Sequence, residues 1–131
     1  MIKYLLFLDD ERDVDVTVKM PEIYDDLQRI TARNFNEFID VFERNGLPEV
    51  ASLDMDLHAA HYKIGAQNRF MSLVGYEKCD IPTGLDCMKY LVKYCQKKNL
   101  ELPKVFSHSM NHAGRQAILA YAEKYSNKKS F

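Results

Sequence analysis

Two apolar runs in this sequence halt on clustered acids. In YLLFLDDER the run Tyr4–Leu8 gives way to Asp9, Asp10 and Glu11, followed by Arg12; in EVASLDMDL the run Val50–Leu53 gives way to Asp54 and Asp56. A third segment, KVFSHSMNHAGR, ends on Ser107, His108 and Ser109 before reaching Asn111 and Arg115. Carboxylates gathered in one small volume repel one another, and their pKa values rise unless a cation intervenes. A hard, oxygen-seeking divalent ion such as Mg²⁺ answers that need. The third segment suits an anion. A helix capped by Asn111 offers unpaired N–H groups and a partial positive charge to a phosphate, with Ser109 beside it and Arg115 one turn in as a bidentate clamp.

Such residues need a scaffold that brings strand ends together. Tyr4–Leu8 is a continuous apolar run, as expected of a strand covered on both faces of a parallel sheet. Residues 29–33, RITAR, form a second short strand, and Val50–Leu53 a third. Between them NFNEFIDVFERNG spaces Phe35, Phe38, Ile39 and Phe42 helically, with Asn34 and Glu37 as a capping pair and Gly46 as the stop. TGLDCMKYLVKYCQKKN sets Leu85, Met88, Leu91, Val92 and Cys95 on one stripe behind Thr83 as N-cap. Pro103 opens a fourth strand, and NHAGRQAILAYAEKYS forms the last helix, ahead of a polar tail at 126–131 that is expected to fray. Strands alternating with helices imply an α/β parallel sheet with helices on both faces. In such sheets ligands sit beyond the carboxyl ends of the strands, where all three clusters fall.

Two segments break the alternation, 13–28 and 58–82. The second is long for a loop, as lids and binding segments often are, and its NRFMSLVGY is the expected site of a short helix. His58 and His61 lie in it, where they are either solvated or approach the metal.

Composition narrows the classes. The chain of 131 residues, 47% hydrophobic, can bury a core as one domain over 1–131 without disulfides. Its net charge of −1 with no dense basic block argues against an extended nucleic-acid surface. The three cysteines form no C-x-x-C pair, which suggests neither a disulfide framework nor a zinc ribbon. The N-terminal run is too short to span a bilayer and is interrupted by acids, so it reads as a first strand, in a cytoplasmic protein.

FLDDER, SLDMDL, TGLDCMKYL and VFSHSMNHAGR, in that order, resemble the receiver fold of two-component response regulators. They resemble more closely the cyclic-phosphate processing receiver domains. The resemblance implies a compact flavodoxin-like sheet in core order 2-1-3-4 that ends after its fourth helix. It implies that Asp9 and Asp10 match the metal-binding acid pair of receivers and that Asp54 matches the aspartate that accepts phosphoryl groups. Asp56 falls where receivers place a backbone carbonyl on the metal, and the receiver hydroxyl after strand four maps onto His108 or Ser109. The lysine that receivers carry after a fifth strand has no counterpart here, which weakens a phospho-switch reading. The 58–82 segment is expanded relative to the family.

Together these features suggest Mg²⁺ or Mn²⁺ on Asp9, Asp10, Asp54 and Asp56 facing a phosphate on Ser109, Asn111 and Arg115, with Glu11, Arg12 and Ser107 as accessory groups. Asp54 and His108 are the expected catalytic residues. An imidazole titrating near about 6.5 suits protonation of a leaving ribose oxygen. The expected function is metal-dependent processing of a cyclic phosphate or related phosphoester, on a nucleotide or an RNA end. The alternatives are a non-catalytic receiver-like module that binds metal, phosphate or a partner protein, and a nuclease-type metal site built on Glu11, Asp54 and Asp56, which leaves HSMN unexplained.

Overall fold

A computed structural model describes residues 3–12 and 20–129. Four parallel strands, β1 (Tyr4–Leu8), β2 (Gln28–Ala32), β3 (Val50–Leu53) and β4 (Lys104–Ser107), form one sheet in the order β2-β1-β3-β4. β1 and β3 are wholly buried, as their unbroken apolar runs require, while the flanking β2 and β4 are only partly covered. The register pairs Phe7 with Ser52 and Ser52 with Phe106, so the chain leaves β1, β3 and β4 at one common edge.

Helix α1 (Phe35–Asn45) starts where Asn34 accepts from Glu37 N at 2.9 Å, and it stops at Gly46, whose φ of 80° glycine adopts without a Cβ penalty. The Glu37 carboxylate reaches back to Arg33 N, one residue before the cap. Helix α2 (Ala59–Gln67) lies within the 58–82 segment. The helix expected over NRFMSLVGY is therefore displaced toward the N-terminal end, and residues 68–75 form turns and bends ahead of a short 3₁₀ turn at Tyr76–Lys78. Helix α3 (Gly84–Lys98) begins with a complete capping box in which Thr83 and Asp86 satisfy each other's backbone N–H groups. Helix α4 (His112–Lys129) continues through most of the tail expected to fray, and residues 130–131 lie outside the described residues.

One face of the sheet is sealed by α1, α3 and α4, where Phe38, Phe42, Met88, Leu91 and Ile118 meet Leu6, Leu8 and Leu53, all fully buried. On the other face Leu5, Phe7 and Val50 are covered by Met20, Tyr24 and Leu27, with Phe106 alongside. The expected helices on both faces are seen on one face among the described residues, and residues 13–19 lie outside them. No helix among the described residues is long and apolar enough to cross a membrane.

Candidate functional site

The strand ends converge as the acid pattern implied, and Arg12 sits at their centre. Asp9 follows β1 and is 1% exposed. Its Oδ1 accepts from Glu11 N at 2.9 Å and Arg12 N at 2.7 Å, an Asx-type turn that folds the chain back on itself. Its Oδ2 takes the Arg12 Nε at 2.9 Å and the His108 Nε2 at 3.1 Å. Burial by itself would raise the Asp9 pKa. The His108 hydrogen bond, the Arg12 and Glu11 backbone N–H groups and the Arg12 charge outweigh it, and hold this carboxyl well below the usual carboxylate range.

Asp54, after β3, is held differently. Oδ1 accepts from Met55 N at 2.8 Å, and Oδ2 lies 3.6 Å from Arg12 Nη2. Burial and the neighbouring Asp9 charge push its pKa up to about 7, against the lowering pull of the Ser109 hydroxyl, Arg12 and Met55 N. Two adjacent carboxyls are thereby driven apart, one permanently ionised and one poised near neutrality. Arg33 braces the turn by donating to the carbonyls of Asp9 at 3.2 Å and Arg12 at 2.9 Å.

His108 lies behind this pair. Its ring stacks on Phe7 at 4.2 Å between centroids, Nδ1 is 2.8 Å from Ser52 Oγ, and its side chain is 4% exposed. The neutral Nε2–H tautomer fits both contacts, donating to Asp9 and accepting from Ser52. Burial lowers its pKa against the pull of Asp9, which keeps it neutral. Both ring nitrogens are engaged within the chain, and the ring lies against Phe7 with its Nε2 on Asp9.

A cavity of about 240 Å³ opens above Asp54 and is lined by Arg12, Glu11, Asp56, Ser109 and Asn111, with Tyr62, Phe70 and Met110 toward its apolar side. Asp56 and Asn111 are spent on structure. The two Asp56 oxygens accept from Tyr76 Oη and from Asn111 Nδ2, the latter at 3.2 Å, and Asn111 also caps α4 by accepting from Gly114 N at 3.0 Å. The helix N-terminus expected to hold phosphate is partly filled from within the chain, because Ala113 N donates to the Phe70 carbonyl at 3.1 Å. Arg115 is exposed and does not line the cavity, whereas Arg12 does. Ser107 donates to Leu53 O at 2.7 Å and ties β4 to β3.

Asp9, Asp54 and His108 each present one ligand atom, all within 4.8 Å of one another. Of the four acids expected to hold a metal, Asp10 and Asp56 are not in this group. Asp10 accepts from Tyr62 Oη at 2.9 Å, and Asp56 is saturated by Tyr76 and Asn111. His58 caps α2, and His61 is buried with both ring nitrogens on the backbone of Leu57 and Ile81, and neither belongs to that group. The nuclease-type set of Glu11, Asp54 and Asp56 loses Asp56 to the same contacts.

A protein-family profile described as "Cyclic-phosphate processing Receiver domain" matches residues 4–124. The chain belongs to that family. No curated protein and no solved structure matched it. Its sheet runs in the order β2-β1-β3-β4, and its acids gather at the carboxyl edge around Arg12. Arg12, Tyr62, Phe70 and Tyr76 were not singled out as central from sequence. Only Arg12 carried a signal, as the cation adjoining the acid run.

Proposed function

We propose that this receiver processes a cyclic phosphate or related phosphoester, of a nucleotide or RNA end, in the cavity above Asp54. The observation that carries this reading is a buried carboxyl poised near neutrality beside a guanidinium, at the floor of an open cavity. The phosphate oxygens lie against Arg12. Asp54, in its ionised form, takes a proton from a water as that water's oxygen attacks phosphorus. The ring P–O bond on the far side breaks, and its oxygen is protonated by solvent at the cavity mouth, leaving a linear monoester. Ser109 orients Asp54, while His108 and Ser52 hold Asp9, which in turn fixes Arg12.

Asp9, Asp54 and His108 would hold a divalent ion with the imidazole proton on Nδ1, toward Ser52, instead of on Nε2, and their mixed oxygen and nitrogen set favours Mn²⁺ over Mg²⁺. Such an ion would supply further positive charge for the phosphoryl oxygens. Arg12 already neutralises the same atoms, which favours a second reading in which the site binds phosphate without turning it over.

Phosphorus NMR of 2′,3′-cyclic, 3′,5′-cyclic and linear phosphoesters, with Mn²⁺, Mg²⁺ or chelator, separates the two. Turnover is expected for a cyclic ester, and in chelator its rate should rise as Asp54 ionises through about pH 7. It should drop about 10²-fold or more in Asp54→Asn. Binding without turnover across the panel establishes the second reading. Turnover that Asp54→Asn retains removes the role given to that residue.

A further inference from the structure

The apolar side of the cavity has no part in the chemistry above, and it is built at some cost. Arg69 and Phe70 are consecutive non-glycine residues with φ of 58° and 59°, a left-handed conformation that side chains rarely adopt. Their surroundings hold them there. Phe70 N donates to Gly65 O at 2.7 Å, Phe70 O accepts from Ala113 N, and the ring lies over Gly65 so closely that a Cβ at that position would sit 2.3 Å from it. A strained pair pinned on three sides places an aromatic ring on the cavity wall.

Tyr62, from α2, lines the same cavity at 36% exposure, and its hydroxyl is anchored on Asp10, so the ring is held in place. Met110, from the β4–α4 connection, is 84% exposed at the same cavity. An unbranched thioether left in water, at a cavity that two aromatic residues also line, adapts readily to a flat ligand.

We infer that Tyr62, Phe70 and Met110 form a stacking shelf for a nucleobase, so that the preferred ester is a nucleoside cyclic phosphate whose phosphate lies at Arg12 and Asp54. This rests on the phosphoester reading and narrows its substrate. Size supports it: about 240 Å³ is below the usual range for enclosing a drug-sized ligand, so a nucleotide seats its phosphate and sugar inside and its base at the mouth, against the shelf. Because Asp56 and Asn111 are committed to each other and to Tyr76, they do not read base edges, and the shelf recognises a π-face rather than one base.

The test compares binding of adenosine 2′,3′-cyclic phosphate with that of the same cyclic phosphate on a ribose lacking the base. The wild type should bind the base-bearing ester about 10-fold or more tightly, as base stacking on aromatic rings typically contributes. Met110→Ala, at an exposed position, should lose part of that preference and leave the base-free ester unaffected. Tyr62→Phe keeps the ring without the Asp10 bond, whereas Tyr62→Leu loses both, so the preference should survive in the first and fall in the second. Equal affinity of the wild type for the two esters overturns the shelf while leaving the phosphoester reading intact, and so do variants that weaken both esters alike. Binding of neither ester overturns both.

Discussion

Asp9 and Asp54 face the same guanidinium, yet their environments set them at opposite ends of the titration range. Asp9 collects two backbone N–H groups, a guanidinium and an imidazole N–H, whereas Asp54 has one backbone donor, the Ser109 hydroxyl and a more distant arginine. The consequence for stability has a definite sign. A carboxyl whose folded pKa is raised binds its proton more tightly in the folded state, so folding loses stability as pH climbs from the unfolded value of 3.8 to the folded value of about 7. Asp54→Asn keeps the Met55 N–H acceptor and removes that penalty. In chelated buffer at about pH 8 the variant should be more stable than wild type by on the order of 4 kcal/mol, with the gain fading toward pH 4. Urea titrations at the two pH values measure it, and a gain that is independent of pH would contradict the raised pKa. Asp9 has the opposite sign: its contribution is present above the ordinary carboxylate range and is lost only in acid.

Among the elements, the start of α3 is the one most closely tied to the site. Gly84 N donates to Met55 O at 2.9 Å, and a Cβ at Gly84 would stand 1.7 Å from the Asp54 carbonyl oxygen. That oxygen belongs to the backbone and cannot swing aside. The glycine of the TGLD motif is therefore required by contact with the strand end that carries Asp54, while Thr83 and Asp86 supply the capping box. Gly84→Ala should cost about 3 kcal/mol through overpacking and displace Asp54 as well, so that turnover falls with stability. Thr83→Ala removes only a cap, costs about 1 kcal/mol, and should leave turnover nearly unchanged in the molecules that remain folded. Chemical denaturation combined with the phosphoester assay distinguishes the two variants, and equal losses in both readouts would show that the Gly84 contact is not special.

For the molecule as a whole, the test is whether a cation binds the folded state. An ion held by Asp9, Asp54 and His108 stabilises by mass action, by about 2.7 kcal/mol at a hundredfold excess over its dissociation constant. For a domain of this size that is a rise in Tm of about 10 °C. Mn²⁺ should produce it in the wild type and fail to do so in Asp54→Asn. A wild-type Tm that saturating Mn²⁺ and Mg²⁺ leave unchanged would mean that Arg12 is the site's only cation.

Local features of the chain announced the strands, the caps and the edge of the sheet where the acids gather. Tyr4–Leu8 and Val50–Leu53 are unbroken apolar runs, Asn34 and Thr83 are caps with partners three residues on, and each acid cluster follows a strand directly; all of these act over a few residues. What each acid does was not legible, because it depends on partners far away in sequence. Asp56 is occupied by Tyr76 and Asn111, 20 and 55 positions distant, and Asp10 by Tyr62, 52 positions away. His108 shows the same division. Strand alternation puts it on the same face as Phe106, and the register aligns Phe106 with Ser52 and Phe7, so the ring turns inward onto Phe7. The alternation is written in the sequence. The register is set only when the strands pair, and with it the packing of the His108 ring on Phe7 and its contact with Asp9.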